Sequence, residues 1–280
     1  MRSLEPRVFR RHGAALAGAF ALLVLATDQP ANATPDSTPD LRNVSGESFT
    51  ALPHDPYGDL VRTGYRIFTD TPANASRYSG NALSCSNCHL DAGTRANAAP
   101  MTAAWGMYPA YSLKVDRVIT FQERVQACFV YSLNGFSPSL DAPEMRALEA
   151  YAGWLARGST VGVRTAGRGF VTVTRTGDDP NPLKGERLFA QRCAACHGET
   201  GEGRRDGSRQ VMPPLWGMSS FNKGAGMSEL PLLSGFLKAN MPLGAANLSD
   251  QEALDVAAWI LRQNRWPDPR KGLVRGLLSK

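Results

Sequence analysis

Cys85-Ser86-Asn87-Cys88-His89 and Cys193-Ala194-Ala195-Cys196-His197 place one C-x-x-C-H pattern in each half of a 280-residue chain. This is the attachment pattern of c-type heme, in which two thiols add across the porphyrin vinyl groups and the adjacent histidine binds iron. A redox dithiol would need no fixed histidine after it, and zinc would need four ligands, which neither half readily supplies. The two patterns consume four of the five cysteines and two of the four histidines, so a cystine framework is excluded. Two covalently bound heme c groups are therefore expected, with Cys85, Cys88, Cys193 and Cys196 as the attachment thiols and His89 and His197 as iron ligands.

The flanks of the two patterns also match. Gly64-Tyr65-Arg66-Ile67-Phe68 precedes the first and Gly185-Glu186-Arg187-Leu188-Phe189 the second. Each copy then closes on a helical pattern with a late tryptophan, Pro143 to Leu155 ending on Trp154, and Leu248 to Ile260 with Trp259. Ser249 or Asp250 suits the start of the second closing helix, and Leu254, Ala257, Ala258 and Leu261 form its expected core stripe. Such repetition predicts an all-α protein of two cytochrome c-like heme domains in tandem, 57–157 and 183–266, joined by an irregular linker at 158–182. The linker is expected to be a plain connector with a β-like stretch at Phe170–Thr174. A Pro-, Asp-, Ser- and Thr-rich arm at 34–56 is expected to be loosely held, and 267–280 forms a tail. Sixteen residues separate Phe68 from Cys85 but only three separate Phe189 from Cys193, so the first copy carries an extra loop around its site.

The N-terminus reads as a secretory signal at 1–33: basic residues to Arg11, an apolar run from Ala14 to Ala26, and Ala31-Asn32-Ala33 as a cleavage pattern. The run is short of the ~20 residues a membrane span needs. Export to the periplasm is expected, with no stable membrane insertion once the signal is removed. The formal charge of +6 shrinks with it, because those residues hold four arginines against two acids and leave 27 basic and 23 acidic residues. A balance this mild, without a Lys/Arg run, gives no electrostatic case for a nucleic-acid partner.

Axial ligands decide what each heme does. Backbone carbonyls at Pro100 in the first half and at Pro213 or Pro214 in the second are expected to orient the two imidazoles. In the second half, Met241 on the Pro/Gly-restrained stretch Asn240-Met241-Pro242-Leu243-Gly244 is the expected thioether ligand, ahead of Met212, Met218 and Met227. In the first half the candidates are Met101, Met107, His54 and Cys128. Cys128 has no thiol left to pair with, and Lys114, Arg117 and Arg124 precede it, the last by one helical turn. Cations favour the thiolate, the species that binds iron and attacks sulfur; a small buried core residue is the alternative reading.

The run Phe121-Gln122-Glu123-Arg124-Val125-Gln126-Ala127-Cys128-Phe129, followed by Ser132-Leu133-Asn134-Gly135, resembles the diheme thiosulfate dehydrogenases that form tetrathionate. The likeness extends over roughly residues 55–265, with both heme patterns and the Asn-Met-Pro segment in order. It implies His89/Cys128 ligation of the first heme, which is then the catalytic one, and a substrate-binding role for Arg124. A second basic residue upstream would be Lys114 or Arg117. Some members carry Lys beside the second-site methionine; here that residue is Asn240, so no Lys/Met ligand exchange is expected.

The reaction so implied couples two thiosulfates into tetrathionate and releases two electrons, which two one-electron hemes match. Two dianions ~4 Å apart repel by ~16 kcal/mol at an effective dielectric of ~20, so cations beside the reacting sulfur are required. Cys128 would carry sulfur between the two substrates. The natural electron acceptor is expected to be a small periplasmic redox protein or another cytochrome, and the direction of the reaction stays open. Two other readings remain: a diheme electron-transfer protein with Met101 or Met107 on the first iron, and a heme subunit of a Sox-type sulfur-oxidising complex.

Overall fold

The computed structural model describes residues 41–271 apart from 176 and 208. The expected signal segment at 1–33 and the end of the tail lie outside these residues. Among the described residues no helix is long and apolar enough to cross a membrane.

Both halves rest on the same pair of crossed helices. Helix α1 (Pro56–Thr69) begins where the Asp55 carboxylate accepts from Gly58 N at 2.7 Å, with proline at its first position. Its apolar stripe of Val61, Ile67 and Phe68 is buried, while Asp59 and Arg66 stay outside. Between α1 and the closing helix the backbones nearly touch, since a Cβ on Gly64 would lie 2.0 Å from Ala147 O. The second half repeats this with α4 (Pro182–Arg192) and α6 (Asp250–Arg262), where a Cβ on Gly185 would lie 2.0 Å from Asp255 O. Four residues after each glycine a buried phenylalanine meets an aromatic ring of the closing helix: Phe68 and Tyr151 at 5.5 Å, Phe189 and Trp259 at 4.6 Å.

Between these pairs lie the remaining longer helices. Helix α2 (Phe121–Tyr131) starts in a reciprocal cap between Thr120 and Glu123, α3 (Pro143–Leu155) closes the first half, and α5 (Leu230–Asn240) precedes the final loop. Ser249 and Glu252 form the same reciprocal cap at the start of α6. The buried face of α6 is Ala253, Leu254, Val256, Ala257 and Ile260; Ala258 and Leu261 of the expected stripe are only half-buried, because α4 and α5 both pack on this helix and rotate its covered arc.

Strands occur only as two hairpins among the described residues, β1 (Ala110–Ser112) with β2 (Arg117–Ile119), and β3 (Arg204–Asp206) with β4 (Arg209–Met212). The β-like stretch expected at Phe170–Thr174 is not a strand. Phe170 instead sets its ring edge-on to Phe236 of α5 at 5.9 Å, and Val171 O sits against Gly235, which admits no Cβ there. The arm is likewise not loose over its described part. Leu41, Phe49 and Leu52 are buried, and Val44 N and Ser45 N donate to Leu155 O and Arg157 O. Three apolar side chains among the polar residues suffice to dock it beside Trp154.

The halves also interlock. Asn81 and Asn134 of the first half both donate to Ser220 O, at 3.1 and 2.6 Å, and Asn222 returns a bond to Val130 O at 2.9 Å. Asn240, fully buried at the end of α5, donates to Asn97 O at 3.1 Å.

Candidate active site and the two heme clefts

Cys85, Ser86 and Asn87 form a tight turn closed by Ser84 N donating to Asn87 Oδ1 at 2.7 Å. His89 follows, and its Nδ1 lies 2.6 Å from Ala99 O. A carbonyl can only accept, so Nδ1 carries the hydrogen and Nε2 is left with its lone pair for a metal. The carbonyl is that of Ala99, not of Pro100 as the sequence suggests. Ala99 adopts a left-handed backbone, with φ of 47°, and this turns its carbonyl toward the imidazole. Burial lowers the His89 pKa against the opposing pull of that hydrogen bond, which keeps the ring neutral, as a ligand must be. Burial pushes the Cys85 and Cys88 thiols up to about 12. A redox dithiol shows the opposite, a depressed thiolate.

These groups line a cavity of about 1260 Å³, mouth included, whose lining also contains Arg124 and Cys128. Arg124 and Cys128 are one turn apart on α2 and so share a face. Arg124 is exposed to the cavity it lines. Cys128 is the partner that most strongly raises its pKa, with burial opposing and a hydrogen bond to the Tyr108 hydroxyl adding. Among the described residues no carboxylate pairs with it.

Lys114 and Arg117 are placed differently. Both line an adjoining cavity of about 1050 Å³ beneath the β1–β2 hairpin, which shares Arg124 and Tyr108 with the first. Lys114 Nζ donates to Gly224 O at 3.1 Å, and Arg117 is paired with Glu123 at 2.8 Å. Of the three cations expected beside Cys128, only Arg124 lines the Cys128 cavity. Among the lining residues not singled out from sequence for this site are Tyr108, Arg168, Phe221 and Met227. The first lies just before β1, the second on the linker, and the last two come from the second half. His54 is exposed on the chain before α1, and of the methionine candidates Met101 lines the cavity.

The second half repeats the histidine arrangement of the first. His197 Nδ1 lies 3.0 Å from Pro213 O, whereas Pro214 O is taken by Ser220 Oγ. Burial lowers the His197 pKa and pushes the Cys193 thiol up to about 11, while Cys196 is exposed. Trp216 and Trp259 meet edge to face at 5.0 Å, and Gly201, at φ of 63°, makes room for the Trp216 ring. Met241 ends α5 directly before Pro242 and packs half-buried on this core. Met218 is 56% exposed and Met227 belongs to the first cavity.

Among the described residues no three His, Cys, Asp or Glu side chains gather as a protein-held metal site. A neutral imidazole with its Nε2 left bare, two neighbouring thiols and an adjacent cavity or aromatic-walled cleft suit a thioether-bound heme in each half. The sequence comparisons agree. Residues 75–161 match the family described as SoxA/TsdA, cytochrome c domain, and residues 183–264 match cytochrome c. The thiosulfate dehydrogenase of Stutzerimonas stutzeri (strain A1501) is 44% identical over 230 residues, 82% of this chain and 74% of that protein. That of Thiomonas intermedia (strain K12) is 42% identical over 272 residues, covering 95% and 86%.

The chain belongs to the thiosulfate dehydrogenase family. A solved member, thiosulfate dehydrogenase (TsdBA) from Marichromatium purpuratum, superimposes with a TM-score of 0.79 at 41% identity over 84% of this chain. The present chain spans about half of that one, 52% of its length. As a family member it is an oxidoreductase with two tandem cytochrome c domains and two heme c groups.

Proposed function

We propose that the protein oxidises thiosulfate, coupling two molecules into tetrathionate and passing two electrons to a redox acceptor. The observation that carries this is the pairing of Cys128 and Arg124 on one face of α2, beside the His89 cavity, with no carboxylate on the arginine. When bound, the two hemes take up the two electrons one at a time. Cys85 and Cys88 would hold the first, with His89 and Cys128 as its iron ligands; Cys193 and Cys196 would hold the second, with His197 and Met241.

In this reading the Cys128 thiolate bonds to the sulfane sulfur of one thiosulfate as two electrons leave, giving a cysteinyl S-thiosulfonate. A second thiosulfate then attacks that outer sulfur, tetrathionate departs, and the thiolate returns. Charge and atoms balance without a proton, which fits a cavity whose one histidine is engaged at Nδ1. Arg124 offsets the repulsion between the dianions and orients a sulfonate through paired N–H donors. Lys114 and Arg117, in the adjoining cavity, gather anions on the way in rather than touching the reacting sulfur. The same groups serve the reverse reaction. The sequence signal at 1–33 supports export, hence a periplasmic cytochrome or small redox protein as acceptor.

The test is thiosulfate-dependent ferricyanide reduction by the purified holoprotein, beside an EPR spectrum of the resting state. The expected result is turnover by the single chain and a low-spin thiolate–heme signal, both lost in Cys128→Ala. Full activity of Cys128→Ala would end this mechanism, and a parent protein without turnover would leave an electron carrier with Met101 as first-site ligand.

A further inference from the structure

We propose that Arg168, carried by the segment joining the two halves, is an anion-binding residue of the first site, its ligand a group with two or more charged oxygens in fork geometry. The sequence around it is Gly167-Arg168-Gly169, and both glycines take left-handed backbone, at φ of 71° and 83°. A Cβ on Gly167 would fall 2.7 Å from Ala96 Cβ, so the turn is shaped for glycine. Gly167 O accepts from Asn97 N at 2.7 Å and Gly169 O from Ala99 N at 2.8 Å. Residue 168 is thus clamped on both sides to the loop whose Ala99 carbonyl orients His89. Two residues on, Phe170 and Val171 pin the segment to α5 of the second half.

An arginine of an ordinary linker is solvated and held by nothing. This one is half-buried on a doubly fixed turn, lines the cavity with Arg124 and Cys128, and its guanidinium has no carboxylate or carbonyl partner among the described residues. Arg124, Arg168 and Tyr108 line one cavity, and both cations lower the Tyr108 pKa against the raising effect of its burial. Two guanidinium groups on one cavity wall favour an anion within it. A planar fork matches the oxygens of a carboxylate or a sulfonate. Two sources supply that chemistry at this site, a propionate of the first heme and a sulfonate end of the substrate. Naming the second rests on the function proposed above; the first does not.

Arg168→Gln and Arg168→Lys in the holoprotein separate the sources. One measurement is the calorimetric affinity for thiosulfate, with KM and kcat from ferricyanide reduction; the other is a potentiometric titration of both hemes. If the ligand is substrate, Arg168→Gln weakens thiosulfate binding and raises KM about 10–100-fold with unchanged potentials. If it is the propionate, the first heme's potential shifts in Arg168→Gln, the second's does not, and thiosulfate affinity is kept. In either case Arg168→Lys lies between Arg168→Gln and the parent. Should Arg168→Gln fail to load heme, Arg168→Lys decides alone by the same readouts. Unchanged affinity and unchanged potentials overturn the proposal. A parent protein inert toward thiosulfate would end the functional reading, while its calorimetric and potentiometric comparisons with the variants still decide Arg168.

Discussion

The two halves share a scaffold and differ in what has been laid over it. In each, a glycine lets the opening helix touch the closing one, a phenylalanine four residues on meets an aromatic ring, and a backbone carbonyl holds Nδ1 of the histidine. The second half adds little beyond a methionine at the end of α5. The first adds Cys128 and Arg124 on α2, Tyr108 from the stretch before β1 and Arg168 from the linker, all lining one cavity. On the proposed function, the scaffold serves electron storage in either half and the chemistry resides in the parts that break the repeat.

Making the first site resemble the second is the strongest way to break this contrast. Cys128→Met should leave both hemes attached and reducible but lower thiosulfate turnover at least about 10³-fold, the scale of losing a nucleophile, as read by ferricyanide reduction. A milder change sharpens it: Arg124→Gln keeps the cysteine and should cost about 10–100-fold in kcat/KM, the worth of a charge-assisted hydrogen bond. The converse change, Met241→Leu, should lower the potential of the second heme and slow electron exit while thiosulfate affinity, measured by calorimetry, is kept.

The shared scaffold is testable by stability. Gly64→Ala and Gly185→Ala each force a Cβ against a backbone carbonyl and should each cost about 1–3 kcal/mol in denaturant unfolding. Gly153→Ala, where a Cβ meets nothing within 4 Å, should be neutral or stabilise by up to about 1 kcal/mol. Tyr151→Phe, which removes the hydroxyl bonded to Ala92 O at 2.6 Å in the buried core, should cost about 1 kcal/mol.

Residues that answer to local rules were legible in the sequence. The paired C-x-x-C-H patterns, the Gly-x-x-x-Phe flanks and the capped closing helices follow from spacing and composition within a dozen residues. Arg124 and Cys128 were legible because i and i+4 share a helical face. Arg168 was not, since a linker arginine acquires a role only when the chain folds back between Asn97 and Ala99. Phe221 and Met227 were read only as part of the second half, because nothing local reveals that the loop before α5 lies across the other half. The Ala99 carbonyl escaped for a finer reason: a left-handed alanine is uncommon, so proline looked the more natural turn.

That wall has a consequence in time. A chain emerges N-terminus first, so Cys85, Cys88, His89, Cys128 and Arg124 all exist before Phe221 and Met227 have been made. The reactive chamber is the first to receive its chemistry and the last to receive its roof. A chain cut between the halves would lack Phe221 and Met227 from the lining of that cavity, so the second half completes the wall of the first.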